Sequence, residues 1–348
     1  MQITSYKKAA LLALCLSFVS LASWEYSLRQ KGAAPSFDDN EALWANKRAM
    51  VYEPGDKATV FIGSSRIKYD LDIPTWEALT GNQAIQLANV GSNPRLVLED
   101  LANDPNFKGR LVVDVTETLF FSPGLTFNDG ITIKKIKYYH GITPTERFSF
   151  QVDRVLESQF VFLDQDNYTI NAMLDKVKIP NRTGEPFFDF PMEFDRTSYA
   201  RQSSMTPRFI ADTNLQNRVK DIWMGCARGR SMLPISGKVL DSSLNWVKVQ
   251  VDRIKSRGGD VIFVRTPNSG PMLMGELKAY PRKDYWDRIL TTTGCQGIYF
   301  QDYPAISGFI CPEWSHLKPS DAVIYTRNLA KILSEEKGWS FPTKSTTL

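Results

Sequence analysis

Histidine is scarce in this chain, with two among 348 residues. That leaves no material for a His-rich metal centre, and any histidine-dependent chemistry must run through His140 or His316. The four cysteines include no C-x-x-C pair, which argues against structural zinc. Charge of one sign is also missing: the formal net charge is +4 and no Lys/Arg-rich block occurs, so nucleic-acid binding has no electrostatic support. Internal repeats and low-complexity tracts are absent. What the chain does have is apolar bulk, 43% hydrophobic and 12% aromatic residues, enough for a substantial core. Disorder, coiled coil and collagen are excluded on that composition.

One long apolar run stands out. Lys7 and Lys8 precede AALLALCLSFVSLASW, residues 9–24, with no charge until Glu25. As a helix at about 1.5 Å per residue it reaches roughly 24 Å, a little less than the ~30 Å hydrocarbon core. Two lysines before an uncharged run mark a signal anchor or a signal peptide. The reading taken is a retained anchor, with the N-terminus in the cytoplasm and the rest outside, or periplasmic/secreted if cleavage follows Ser20-Leu21-Ala22. Cys15 falls in this segment. An oxidising compartment permits a Cys295–Cys311 bridge that leaves out Cys226.

Residues 25–57 are polar and mixed and read as a stalk; residues 339–348 read as a tail. Between them, 58–338 reads as one α/β domain. ATVFIG (58–63), AIQLAN (84–89), RLVVDVT (110–116), DVIFVR (260–265) and GIYFQD (297–302) are strand-like apolar runs. Helical patterns fall at 74–81, 94–104, 242–257 and 319–337, so the expected fold is a doubly wound parallel sheet covered on both faces. The rhythm breaks over about 122–240, which holds a helical stretch near 145–163 and a Pro/Phe-rich loop, GEPFFDFPMEF (184–194). That block reads as a largely helical insertion or cap.

Three short elements carry chemistry. Gly63-Ser64-Ser65-Arg66 follows the first strand directly, and open α/β sheets bind ligands at the carboxyl ends of their strands. Asn89-Val90-Gly91-Ser92-Asn93 follows the second strand; Gly91 offers a backbone N–H to an anion and Asn93 a side-chain amide. Each is equally readable alone as a plain turn. Glu313 stands three residues before His316, just ahead of the last helix. A carboxylate at that spacing can hold the ring's Nδ1–H and leave Nε2 to take a proton, the base-plus-orienter half of a serine hydrolase triad. His140, in KYYHGIT, has no such partner three residues away and reads as a surface or packing residue.

The order and spacing of these elements resemble the SGNH (GDSL-type) hydrolase family over about 58–117 and 242–338. The family's first block is Gly-Asp-Ser, matched by Gly63 and Ser65 with Ser64 in place of Asp. Its second block supplies an oxyanion glycine, matched by Gly91, and its last is Asp-x-x-His, matched by Glu313 and His316. The third block, Gly-x-Asn-Asp, is missing: the equivalent strand end is Asp114-Val115-Thr116-Glu117-Thr118, which leaves Asn93 or Thr116 as substitutes for the absent Asn donor. The resemblance implies Ser65 as nucleophile, His316 as base, Glu313 as orienter, and Ser65, Gly91 and Asn93 as oxyanion donors. Arg66 and Arg265 become candidates for binding substrate, with a structural ion pair as the alternative for each. Membrane-anchored members that handle polysaccharides show a similar Ser-Ser-Arg first block. The implied function is an extracytoplasmic serine esterase or O-acetyltransferase acting on a carbohydrate ester, with no metal and no cofactor. The alternatives are a catalytically weak SGNH-like glycan-binding or assembly protein and a purely structural envelope protein.

Overall fold

The computed structural model describes residues 2–175, 190–229 and 234–342. The chain forms two units, one of residues 1–38 with 144–189 and one of residues 39–143 with 190–348.

In the first unit an N-terminal helix runs Gln2–Gln30, and within it Tyr6–Gln30 is long and apolar enough to cross a membrane. The helix Pro144–Gln159 answers the helical pattern near 145–163. Glu25 on the first helix accepts the backbone N–H groups of Val161 and Phe162, at 3.1 Å each, and Trp24 stacks on Phe162.

The second unit is a mixed α/β fold built on a five-stranded sheet, with strands β1 (Ala58–Ile62), β2 (Gln83–Gln86), β3 (Arg110–Asp114), β4 (Asp260–Arg265) and β5 (Gln296–Tyr299). All pairs are parallel, in spatial order 2-1-3-4-5. Alternate residues serve opposite faces, as the two-residue period of a strand requires. Val60, Ile62, Leu111, Val113, Val261 and Phe263 join one core under the helices Arg95–Asn103, Gly237–Lys255 and Trp286–Thr293. Phe61, Val112, Ile262, Val264 and Ile298 join the other, under Ser65–Asp70, Ile73–Thr80 and Pro319–Glu335. Burial on both faces explains why the strands read as unbroken apolar runs.

Two expected boundaries move. The stretch 25–57 is not a uniform stalk: Glu41–Arg48 is a helix capped by Asn40, and its Trp44 is buried in the sheet's core, donating its indole N–H to Leu87 O at 3.1 Å. A tryptophan in a short polar segment carries too little periodicity to announce that packing. Nor is 122–240 one insertion. The helix Asp129–Gly141 and residues 190–240 belong to the sheet unit, whereas 144–189 group with the N-terminal helix. Residues 184–189 of the Pro/Phe-rich loop, and 343–348 of the tail, lie outside the described residues.

Candidate active site

The turn after β1 is shaped by what cannot fit there. A Cβ on Gly63 would stand 2.6 Å from Asp114 Cβ and 2.7 Å from Ile67 Cγ2, so only glycine lets β1 leave the sheet beside β3. The two serines that follow have separate tasks. Ser64 is buried, its hydroxyl 2.7 Å from Thr116 Oγ1, which stitches the ends of β1 and β3 together. Ser65 is half-buried at the start of the helix Ser65–Asp70, and its Oγ lies 2.8 Å from His316 Nε2. In the strand order 2-1-3-4-5 this is the switch point, where the connections from neighbouring strands leave in opposite directions.

His316 arrives from the loop after β5. Glu313 Oε1 accepts the backbone N–H of His316 at 2.6 Å and of Ser315 at 3.3 Å, and faces His316 Nδ1 at 3.0 Å. A carboxylate only accepts, so Nδ1 carries the hydrogen and Nε2 turns its lone pair to Ser65. The other oxygen, Oε2, accepts the indole N–H of Trp223 at 2.5 Å. Trp314 holds a left-handed φ of 79° in the middle of this turn, and its carbonyl accepts Ser269 N–H at 2.9 Å. The imidazole is 1% exposed, walled by Tyr69, Phe194 and Trp223 with ring centroids 4.5, 5.7 and 6.1 Å away. Beneath it Asp70 accepts Leu317 N–H at 2.9 Å, while its Oδ2 has no partner among the described residues. Burial pushes the pKa of the Asp70 carboxyl well above the ordinary range.

Gly91 lies in the neighbouring loop with φ +63°, where a Cβ would come 3.0 Å from Asn128 Nδ2. Its carbonyl accepts Thr126 Oγ1–H and Asn128 N–H, at 3.0 and 3.3 Å. The loop is tied to the Gly63–Ser65 turn through Asn89 N–H to Gly63 O at 3.2 Å. Asn93 Oδ1 accepts Arg95 N–H and Nε–H at the start of the helix Arg95–Asn103, and the Asn93 backbone N–H goes to Asp129. Thr116 is likewise held by Ser64 and Asp114. Asp114, fully buried, has its pKa raised to about 6 by burial, against the Arg66 charge and the donors around it.

The two candidate substrate arginines are corrected by their surroundings. Arg66 is 2% exposed and its guanidinium forks onto both carboxylate oxygens of Glu276. Arg265, fully buried, reaches Glu117 at 2.6 Å, Glu276 at 3.0 Å and Asn268 at 3.1 Å. Burial by itself would lift Glu276, but Arg66 and Arg265 outweigh it and hold the carboxyl below its usual pKa. These arginines form one buried charge network beside the helix Ser65–Asp70 and turn no free guanidinium to a substrate.

A second cluster supports the loop of Asn89. Lys68, Lys135 and Arg201 converge on Asp39 at 3.0, 3.1 and 2.6 Å. Arg201, at φ 65°, also donates to the carbonyls of Gln86 and Ala88 and to Asn89 Oδ1. Three cations against one carboxylate leave an excess of charge, and Lys135 has its pKa brought down to about 8, by burial first and then by Arg201 and Lys68, against the pull of Asp39.

His140 pairs with Asp100 at 2.6 Å, with its side chain 56% exposed, and is no part of the triad. Cys295 and Cys311 are both buried with free thiols, so the permitted bridge is not formed. No group of three or more metal-binding side chains occurs among the described residues. Sequence reasoning missed Trp223, Tyr69, Phe194, Asp70 and the Asp39 cluster. Only Tyr69, four residues after Ser65 on the same helix, stood at a spacing that pointed to the site. No protein-family model matches the chain, and no curated protein matches it.

Proposed function

We propose that the chain is an extracytoplasmic serine esterase or O-acetyltransferase of SGNH type, anchored by its N-terminal helix and acting on a carbohydrate ester. The observation that carries the catalytic part is the unbroken chain Ser65 Oγ–His316 Nε2–Nδ1–Glu313, at 2.8 and 3.0 Å, at the carboxyl edge of the sheet. The glycan and the membrane-anchored setting rest on the Ser64-Ser65-Arg66 resemblance and on Lys7-Lys8 before the apolar helix.

Ser65 Oγ attacks the ester carbonyl as His316 Nε2 takes its proton. The negative charge that develops on the carbonyl oxygen is met by the N–H groups of Ser65 and Gly91. The imidazolium, held by Glu313, returns its proton to the departing alcohol oxygen as the tetrahedral adduct collapses to an acyl-serine. Water or a sugar hydroxyl then attacks, giving its proton to His316, and the second collapse leaves the acyl group on the acceptor as His316 returns that proton to Ser65 Oγ. A fluorophosphonate probe is expected to label wild type at Ser65 and to leave Ser65→Ala unlabelled. A folded wild type that takes no label refutes the hydrolase reading.

The engagement of Thr116 by Ser64 and Asp114, with the Gly-x-Asn-Asp block missing, favours a second reading, a catalytically weak glycan-binding or assembly protein. One oxyanion donor is worth about 3–4 kcal/mol, so a site with two donors in place of three is slower by two to three orders of magnitude. Glycan binding unaffected by Ser65→Ala, with no acyl release from acetylated sugars, would select that reading.

A further inference from the structure

Glu313 is fully buried, and among the described residues no lysine or arginine lies within ion-pair distance of it. Its charge is met by N–H groups alone. Oε1 has Ser315 N–H, His316 N–H and the imidazole Nδ1–H; Oε2 has one donor, the indole of Trp223. A buried carboxylate oxygen left bare costs free energy, which the carboxyl relieves by turning toward another donor. That turn takes Oε1 away from its present relation to Nδ1.

We infer that Trp223 is a positioning residue for the triad, acting through Glu313, so that the chain of contacts is Ser65–His316–Glu313–Trp223. The inference rests on the reading of Ser65 as a nucleophile. Trp223 stands on the helix Thr213–Gly229, outside every block of the SGNH resemblance. Its ring also lies 5.3 Å from Phe190, 6.4 Å from Phe194 and 6.1 Å from His316, so the side chain that donates to the carboxylate also walls the base. The helix Thr213–Gly229 thereby completes the catalytic apparatus rather than merely covering it. The Glu-for-Asp exchange fits this arrangement: the extra methylene lets one carboxyl reach both its own turn and an indole on a separate helix.

The test uses the full chain in detergent micelles. Trp223→Phe keeps an aromatic ring and removes the donor. A hydrogen bond to a charged group contributes about 1.5–3 kcal/mol, so fluorophosphonate labelling of Ser65 is expected to slow by about ten- to a hundred-fold. In a Glu313→Gln background the same substitution should change the rate by less than about twofold, because its effect travels through the carboxylate. Trp223→His, which keeps a ring N–H, should retain most of the wild-type rate. Wild-type labelling speed in Trp223→Phe, equal losses in the Phe and His variants, or losses that multiply with Glu313→Gln would each overturn the inference while leaving the hydrolase reading intact. The low-field proton resonance of His316 Nδ1–H supplies a readout that needs no reaction. It should move in Trp223→Phe; an unmoved resonance overturns the inference even if wild type takes no label and the hydrolase reading itself fails.

Discussion

Replacing Arg66 by methionine separates a structural arginine from a substrate ligand. The side chain is 2% exposed and bonds both oxygens of Glu276. Its loss leaves that carboxylate with Arg265 Nη2 at 3.0 Å and Asn268 Nδ2 at 2.8 Å. Breaking a buried pair costs about 3–5 kcal/mol, and the two surviving donors put this case at the lower end, about 3 kcal/mol. At roughly 2–4 °C per kcal/mol for a domain of this size, Arg66→Met should melt about 6–12 °C below wild type. Differential scanning fluorimetry of the solubilised chain reads it directly. Arg66→Met with Glu276→Leu should recover at least half of the loss, because Arg265 keeps Glu117 at 2.6 Å and no carboxylate is left stranded. A single variant that melts within about 2 °C of wild type while KM for an ester substrate rises alone would refute the argument. Arg66 would then be a substrate ligand after all.

Three further outcomes follow from other parts of the fold. Lys135 has a folded pKa near 8 against an ordinary value of 10.5, so between those pH values the unfolded chain holds the extra proton and stability should rise with pH, by up to about 3 kcal/mol. Urea melts at pH 8 and pH 10 should show that rise in wild type and not in Lys135→Met; a flat profile in wild type contradicts the charge excess around Asp39. Gly63→Ala drives a Cβ to 2.6 Å from Asp114 Cβ, and overpacking of that kind costs about 1–3 kcal/mol. The variant should be destabilised by that amount and label poorly at Ser65, and unchanged labelling would mean that the turn yields. Alkylation of the unfolded, unreduced chain should mark both Cys295 and Cys311, and a linked peptide pair would disprove their thiol state.

The sheet was legible because its signal is local. β1, β3 and β4 are short apolar runs buried on both faces, and each sits where its run does. Edges were less legible, since strand pairing stops before hydrophobicity does. The run at 84–89 pairs only as far as Gln86, and the run at 297–302 leaves the sheet after Tyr299 for a short helical turn, Phe300–Asp302. In sequence Trp44 and the helix Asp129–Gly141 look like parts of a stalk and an insertion, because what decides their place is packing against residues far along the chain. Trp44, for example, bonds Leu87, 43 residues away.

The same distinction sorts the site. Glu313 and His316 were readable as a pair because the contact spans three residues, and a single turn of backbone brings both the N–H and the Nδ1 of His316 onto one carboxyl oxygen. Ser65 and His316 are 251 residues apart, and only the order of motifs along a known family's pattern suggested that they meet. The arginines failed for the complementary reason. Arg66 beside a candidate nucleophile and Arg265 at a strand end look poised for an anion, yet the carboxylates that neutralise them, Glu276 and Glu117, come from positions 210 and 148 residues away. A basic residue next to a candidate nucleophile therefore says little about substrate charge until the buried acids have been located. For this protein they remove the strongest sequence argument for an anionic substrate, and the uncharged rings of Tyr69, Phe194 and Trp223 stand around His316 instead.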